Sequence, residues 1–424
     1  MLRTGEKLRK KSVADKKHSE KTNVQDEKKN YIEFSNLDKA GEIALFFGFL
    51  PVDPPIPLKE DYADAVAIRE TDEGKSGSGI VHTHSTPEKI AILRRYGRDN
   101  ASLPLLLFYE SAPLSGNKSK HRESNWTLEI IGALGSTTEA LLVKTAFSIL
   151  EEEGFDNLSV HLNCLGDKDS ITRFTRELTA YYRKHLEEMP AACRAAFKKD
   201  SYQVFNCSHE ECDTLRKDAP TAISFLSEQS RIHFKELLEY FEATDIPYVI
   251  NPALMHAKHY CSHTILEVRG VNKNAPEVEL VLARGCRFNS LSKKIGIKRE
   301  IPAASMTITI TRDHKSSAKT KRRKIKKPMF YFVHMGKEAK LRSLKVIDSL
   351  YKANVRVCHA LLRDKLLAQL SIAESMKIPY VIIMGQKESL EGSVLLRDMQ
   401  NRSQETIRLE ALSEHLKRLT QVRY

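Results

Sequence analysis

At 424 residues, 41% apolar and 29% charged, the chain is long enough for two or three domains and a sizeable core. No apolar run approaches the roughly 20 residues of a membrane span and no apolar h-region opens the chain, so the cytoplasm is the expected location. The net charge of +13 sits in two places: residues 1–30 carry ten Lys/Arg against five Asp/Glu, residues 312–327 nine against one, and the rest is neutral.

Such basic runs attract phosphate backbones by releasing counterions, and solvated tails look the same. The seven cysteines are scattered, which fits free thiols better than a disulfide framework.

Residues 1–30 lack apolar periodicity and are expected to be disordered, with order starting near Tyr31. The run 40–55 (AGEIALFFGFLPVDPP) predicts a helix with Ile43, Ala44, Phe46 and Phe47 on its apolar face, stopped by Gly48 and the prolines at 51, 54 and 55. A polar loop at 71–79 precedes a helix at 87–96. Its glycine-rich part (GKSGSG, 74–79) lacks the Lys-Ser/Thr ending of a phosphate-binding loop. Residues 103–113 read as an apolar strand, 114–124 as a polar loop and 125–133 as a second strand, together a long hairpin. A helix at 136–154 and a strand at 157–166 follow. Residues 168–247 are helical by pattern, and strands return at 262–269, 277–283 and 304–311. From Pro328, strands (FYFVHMG, VRVCHALL, PYVIIMG, VLLRDM) alternate with helices at 336–353, 363–375 and from 409. That rhythm predicts a parallel or mixed sheet covered by helices.

Three stretches resemble histidyl-tRNA synthetase, a class II aminoacyl-tRNA synthetase. Residues 128–167 resemble the segment after the second class II motif. Residues 187–254 resemble the helical insertion between motifs 2 and 3. Residues 328–400, with IPYVIIMGQKESLEGSVLLRDM, resemble the anticodon-binding domain. The likeness covers roughly 31–424 and implies an α/β (α+β) chain. Its parts would be a basic tail (1–30), an antiparallel class II core (31–167 and 248–312), a helical insertion (168–247), a basic linker (313–327) and an α/β anticodon-binding-like domain (328–424). It also implies a homodimer formed through the core.

The family's catalytic motifs match poorly. Motif 2, Phe-Arg-x-Glu-Arg-Pro, falls on Phe108-Tyr109-Glu110-Ser111-Ala112-Pro113. Tyr109 stands where the Arg would clamp the α-phosphate, and losing such a donor costs about 3–4 kcal/mol. Arg-Pro-Glu-Gly-Thr falls on His82-Thr83-His84-Ser85-Thr86, with His84 at the carboxylate that would hold the substrate ammonium. Arg-Gly-Leu-Asp-Tyr-Tyr-Thr falls on residues 255–261, where Met255 replaces the Arg, Lys258 replaces the Asp and Tyr260 is retained. Gly-Gly-Arg-Tyr-Asp-Gly-Leu falls on 285–291, keeping Gly285 and Arg287 but placing Cys286 and Ser290 at glycines. Motif 3 falls on 302–312, with Arg312 at the adenine-stacking Arg, and Ser305 and Thr309 at glycines.

The resemblance therefore implies a non-catalytic relative that binds tRNA or another RNA, or regulates a partner, with no cofactor. Its RNA-binding residues would lie at Lys321, Arg322, Arg323, Lys324, Lys326 and Lys327, and any remnant of nucleotide binding at Arg312, Arg287 and Arg122. The alternative is an active, divergent histidine–tRNA ligase using ATP and Mg²⁺, with Arg122, Lys118 and Lys120 supplying the lost charge. A third reading is a regulatory subunit of a histidine-biosynthesis enzyme. Cys193, Cys207, His209 and Cys212 lack a CxxC pair and are expected to be buried thiols rather than metal ligands. On a strand, His259, Cys261 and His263 would share one face, with His256 nearby; they are read as a repacked pocket, again without metal.

Overall fold

The computed structural model describes residues 31–34, 37–73, 86–97, 103–111, 121–207, 209–255, 260–313 and 323–422. Strand β1 (Tyr31–Phe34) is followed by α1 (Lys39–Phe46), β2 (Leu50–Pro51), α2 (Lys59–Glu73) and α3 (Thr86–Tyr96). The hairpin is β3 (Leu105–Ser111) and β4 (His121–Ile131), and then come α4 (Thr137–Glu152) and β5 (Phe155–Gly166). The helical stretch holds α5 (Lys168–Lys184), α6 (Ala191–Lys199), α7 (Glu210–Lys217) and α8 (Glu228–Ala243). After it come β6 (Tyr248–Ile250), β7 (Ser262–Asn272), β8 (Ala275–Arg287), α9 (Leu291–Lys294), β9 (Ala303–Asp313) and β10 (Arg323–Lys326). The C-terminal part is β11 (Phe330–His334), α10 (Lys337–Lys352), β12 (Val357–His359), α11 (Leu366–Ser375), β13 (Tyr380–Met384), α12 (Gln386–Glu391), β14 (Ser393–Asp398), β15 (Gln404–Arg408) and α13 (Leu409–Val422).

The main sheet has the order β2-β3-β4-β9-β8-β7-β5-β6. It is antiparallel except at its two edges, where β2 runs parallel to β3 and β6 parallel to β5. Such a sheet needs one face covered, and α4 covers it. Every residue of α4 from Thr137 to Leu150 is buried, so this helix lies inside the molecule. Gly285 is needed where β8 and β9 close up, since a Cβ there would sit 2.6 Å from the Ser305 carbonyl oxygen.

Two capping groups tie the helical stretch to this sheet. Asp167 follows β5 and caps α5, accepting from the Ser170 amide at 2.9 Å; it also accepts from the Ser227 hydroxyl, and Ser227 caps α8. Burial would raise the Asp167 carboxyl, but these donors hold it down at about 2.

The C-terminal sheet has the order β12-β11-β13-β14-β15, with β11 parallel to β12 and β13 and the other pairs antiparallel, so it is mixed. It docks on the main core through α10. Lys144 of α4 meets Asp348 at 2.7 Å in a buried ion pair, and the Tyr351 ring packs 5.1 and 5.4 Å from Phe46 and Phe47 of α1.

Two expectations are corrected. Helix α2 extends to Glu73, into the stretch read as a loop from residue 71. The basic stretch 313–327 is not linker throughout: β9 reaches Asp313, and β10 pairs antiparallel with β1, setting Ile325 against Ile32 and Arg323 against Phe34. Alternation explains it, because Ile325 is buried while its cationic neighbours flank it on a two-stranded ribbon.

Candidate active site

Strand alternation puts Leu107 and Tyr109 of β3 on the same face as Thr127 and Glu129 of β4. Tyr109 is 1% exposed, and its hydroxyl donates to Glu129 Oε2 at 2.9 Å. Burial raises the Glu129 carboxyl to about 7, with nearby Lys89 opposing the shift. Burial, with Glu129 and Glu88 alongside, also raises the Tyr109 phenol well above its usual value. Ser111, at the motif 2 Glu position, donates to Glu88 of α3 at 3.2 Å.

Around this pair the pocket positions close into one apolar cluster. Tyr109, Ile90, Tyr260, Cys261, Cys286 and Phe288 are all members. Tyr260 meets Phe288 edge-on at 6.4 Å, and the buried Lys89 ammonium lies 5.4 Å over the Phe288 ring. Cys286 and Ser305, the side chains gained at family glycines, are partners in the β8–β9 register, and Ser305 pairs in turn with Glu129. Their added volume fills space a glycine would leave open.

Arg287 is fully buried. Its guanidinium donates to both Glu139 carboxylate oxygens, at 2.7 and 2.5 Å, and to the carbonyls of Ala133 and Gly135 at 2.9 and 3.1 Å. Thr264 and His233 also bond to Glu139, at 2.7 and 2.9 Å. Burial alone would raise Glu139; Arg287 and His233 outweigh it and hold the carboxyl far below the usual range. Arg287 thus anchors β8 to the N-terminus of α4, and its donors point into the core rather than toward a ligand. Beside this network, desolvation lowers His263 to about 4.

Met255 is buried against the core of the helical stretch, its sulfur 3.7 Å from Asn163 Nδ2. A neutral thioether occupies the position where the family places an Arg. Arg122 of β4 and Arg312 of β9 are direct register partners. Lys324 pairs with Glu33 and Lys326 with Tyr31 on the β1–β10 ribbon, and Lys327 follows β10. His84, Lys118, Lys120, His256, Lys258, His259, Lys321 and Arg322 lie outside the described residues. His263, the second residue of β7, has a left-handed backbone (φ 56°) and Cys261 precedes the strand, so these two do not alternate along it.

Of the expected buried thiols, Cys193 and Cys212 are buried and Cys207 is half-buried. Cys193, Cys207 and Cys212 converge, with their sulfurs all within 4.8 Å of one another. Spacing along the chain could not reveal this, because the turn between α6 and α7 is what returns Cys207 to Cys193. Sequence reasoning also missed Glu88, Lys89, Glu129 and Glu139. Glu129 could have been found, as a lone charge inside an apolar strand (residues 125–133) that otherwise offers only Asn125 and Thr127 as polar groups.

In the C-terminal sheet, a cleft of about 620 Å³ is lined by Lys377, Pro379, Arg397, Met399, Gln400 and Arg402, among others. An antiparallel core sheet, a helical stretch between its strands and a C-terminal mixed sheet together define a class II aminoacyl-tRNA synthetase architecture. Residues 330–419 match the family model described as "Anticodon binding domain". The chain is 25% identical over 406 residues to the histidine–tRNA ligase of Dehalococcoides mccartyi, covering 90% of this chain and 94% of that one. It is 25% identical over 321 residues to that of Listeria innocua, covering 74% and 75%. It aligns with the crystal structure of apo S. aureus histidyl-tRNA synthetase at a TM-score of 0.48 and 19% identity, over 89% of this chain and 93% of that one. Over nearly its whole length the chain is thus similar to histidine–tRNA ligases.

Proposed function

We propose that this chain is a non-catalytic member of the family that binds tRNA or a related RNA. The observation that carries the reading is the Tyr109–Glu129 pair. Where the family's α-phosphate clamp requires a cation, a neutral phenol is turned onto a buried carboxylate and closed over by apolar side chains. The described residues do not fit ATP. Met255 is uncharged, Arg287 is engaged with Glu139, and Cys286 and Ser305 fill the glycine positions.

RNA binding is supported by the anticodon-binding match and by the basic lining of the 377–402 cleft, with Arg323, Lys324, Lys326 and Lys327 as further phosphate contacts. The test pairs two measurements on the purified full chain: histidine-dependent ATP–pyrophosphate exchange and salt-dependent tRNA binding. No exchange with measurable, salt-sensitive binding is expected. Robust exchange, or no RNA binding at low salt, overturns the proposal.

The active-ligase alternative has one specific support, the register that sets Arg122 beside Arg312 on adjacent strands, two cations where motifs 2 and 3 meet. It requires exchange activity that falls when Arg122, Lys118 and Lys120 are replaced together.

We also propose a homodimer formed through the core. Leu58, Tyr62 and Val66, spaced four apart at and along α2, are 58%, 55% and 56% exposed, an apolar stripe with no covering element among the described residues.

A further inference from the structure

The helical stretch carries chemistry that neither the family likeness nor the pocket uses. We propose that Cys193, Cys207, His209 and Cys212 form a four-ligand zinc site that staples this stretch together.

Cys193 lies on α6, Cys207 follows the 3₁₀ turn 201–206, His209 caps α7, and Cys212 lies in the first turn of α7. Cys193 Sγ is 2.9 Å from Cys207 Sγ, and Cys212 Sγ lies within 4.8 Å of both. His209 Nδ1 is 3.0 Å from Cys207 Sγ and 3.5 Å from Cys193 Sγ. Three sulfurs within 4.8 Å of one another, with His209 Nδ1 within 3.5 Å of two of them, suit a tetrahedral Cys₃His site, in which sulfur and nitrogen ligands stand about 2.3 and 2.0–2.1 Å from the ion. Cys193 and Cys212 are buried while His209 is exposed, so the ion would have a solvent side from which to enter.

The surroundings are built for a charged centre. The His209 amide donates to Cys207 Sγ at 3.4 Å. Arg216 donates to the carbonyls of Val204, Phe205 and Cys207, at 2.9, 3.3 and 2.5 Å, which fixes the ligand turn. Three thiolates and a neutral imidazole leave one excess negative charge on the complex; Arg216, which also pairs with Asp213, holds the turn that carries Cys207. The alternative chemistry for two close sulfurs, a Cys193–Cys207 disulfide, would leave Cys212 and His209 without a role. A metal uses all four.

The site would also matter structurally. Cys193 and Cys212 belong to the small apolar cluster that includes Phe174, Tyr182, Leu215 and Met255, and a small core gains most from a metal crosslink.

The experiment uses the full chain, purified under reducing conditions without a metal-affinity step. Elemental analysis is expected to find about one zinc per chain. Exchange with Co²⁺ is expected to give the intense d–d and sulfur-to-cobalt charge-transfer bands of a tetrahedral thiolate complex. Cys207→Ser and Cys212→Ser should lose stoichiometric metal, whereas Cys358→Ser, in the C-terminal sheet, should retain it. Should the ligand variants fail to fold, the cobalt spectrum of the unaltered chain still decides. Absence of zinc together with a featureless cobalt titration overturns the proposal, as does a Cys193–Cys207 disulfide in metal-free protein that persists until a reductant is added.

Discussion

Two buried carboxylates show how local environment sets a residue's effect. Glu129 accepts from a phenol and has the Lys89 ammonium nearby, yet burial outweighs both and its carboxyl rises to about 7. A folded-state value above the unfolded one means that the native state holds the extra proton. Stability from this group is therefore present below the unfolded value near 4.5 and is lost as pH rises to 7. Glu129→Gln keeps an acceptor for Tyr109 and removes the charge. It should raise the unfolding midpoint at pH 8 and leave it nearly unchanged at pH 5, as read by thermal denaturation at the two pH values. Glu139 is the opposite case, since Arg287 neutralises it inside the core. Arg287→Met strands that charge and should cost about 3–5 kcal/mol in urea unfolding. The double variant Arg287→Met/Glu139→Gln should recover part of the loss. If it does not, the guanidinium acts through packing rather than charge.

Elements differ in how far they could be read from the chain. The β3–β4 hairpin, α4 and α8 announce themselves by alternation or by helical apolar spacing, and they appear close to the expected bounds. Helix α2 was not expected, because part of its apolar stripe faces outward and the stretch around it is dominated by prolines and charges. Strand β10 was hidden for a different reason: a run such as RKIK reads as solvated charge until a partner strand buries its one isoleucine. The α2 stripe yields a prediction. Tyr62→Glu with Val66→Glu should convert a dimer to a monomer in sedimentation or light scattering with little change in circular dichroism. An unchanged mass would mean that the stripe is not the interface.

For the molecule as a whole, opposite titrations bound the stable pH range. Desolvation lowers His263, His334 and His359 to about 4 each. Their depressed values mean that the unfolded chain takes up protons first. Stability is full above the ordinary value of 6.5 and drains away as pH falls toward 4. The acid limb of a melting-temperature profile should flatten in His359→Gln, whereas Glu129→Gln should act only on the alkaline side. Binding should follow surface charge instead. Lys377→Glu and Arg402→Glu should each weaken tRNA binding and lower its salt slope by about one, with no change in melting temperature. An unaltered slope would move the RNA elsewhere, with the Arg323–Lys327 ribbon the next candidate.

The class of fold, the C-terminal alternation and the residues that stand at the motif positions were all legible in the one-dimensional order, because periodicity and short motifs are local properties. The fate of those residues was not. That Tyr109 turns onto Glu129, that Arg287 is held by Glu139 some 148 positions away, and that three scattered cysteines meet a histidine are facts of tertiary contact. Sequence spacing could not report them, because burial and charge compensation depend on which distant strands and helices the fold brings together.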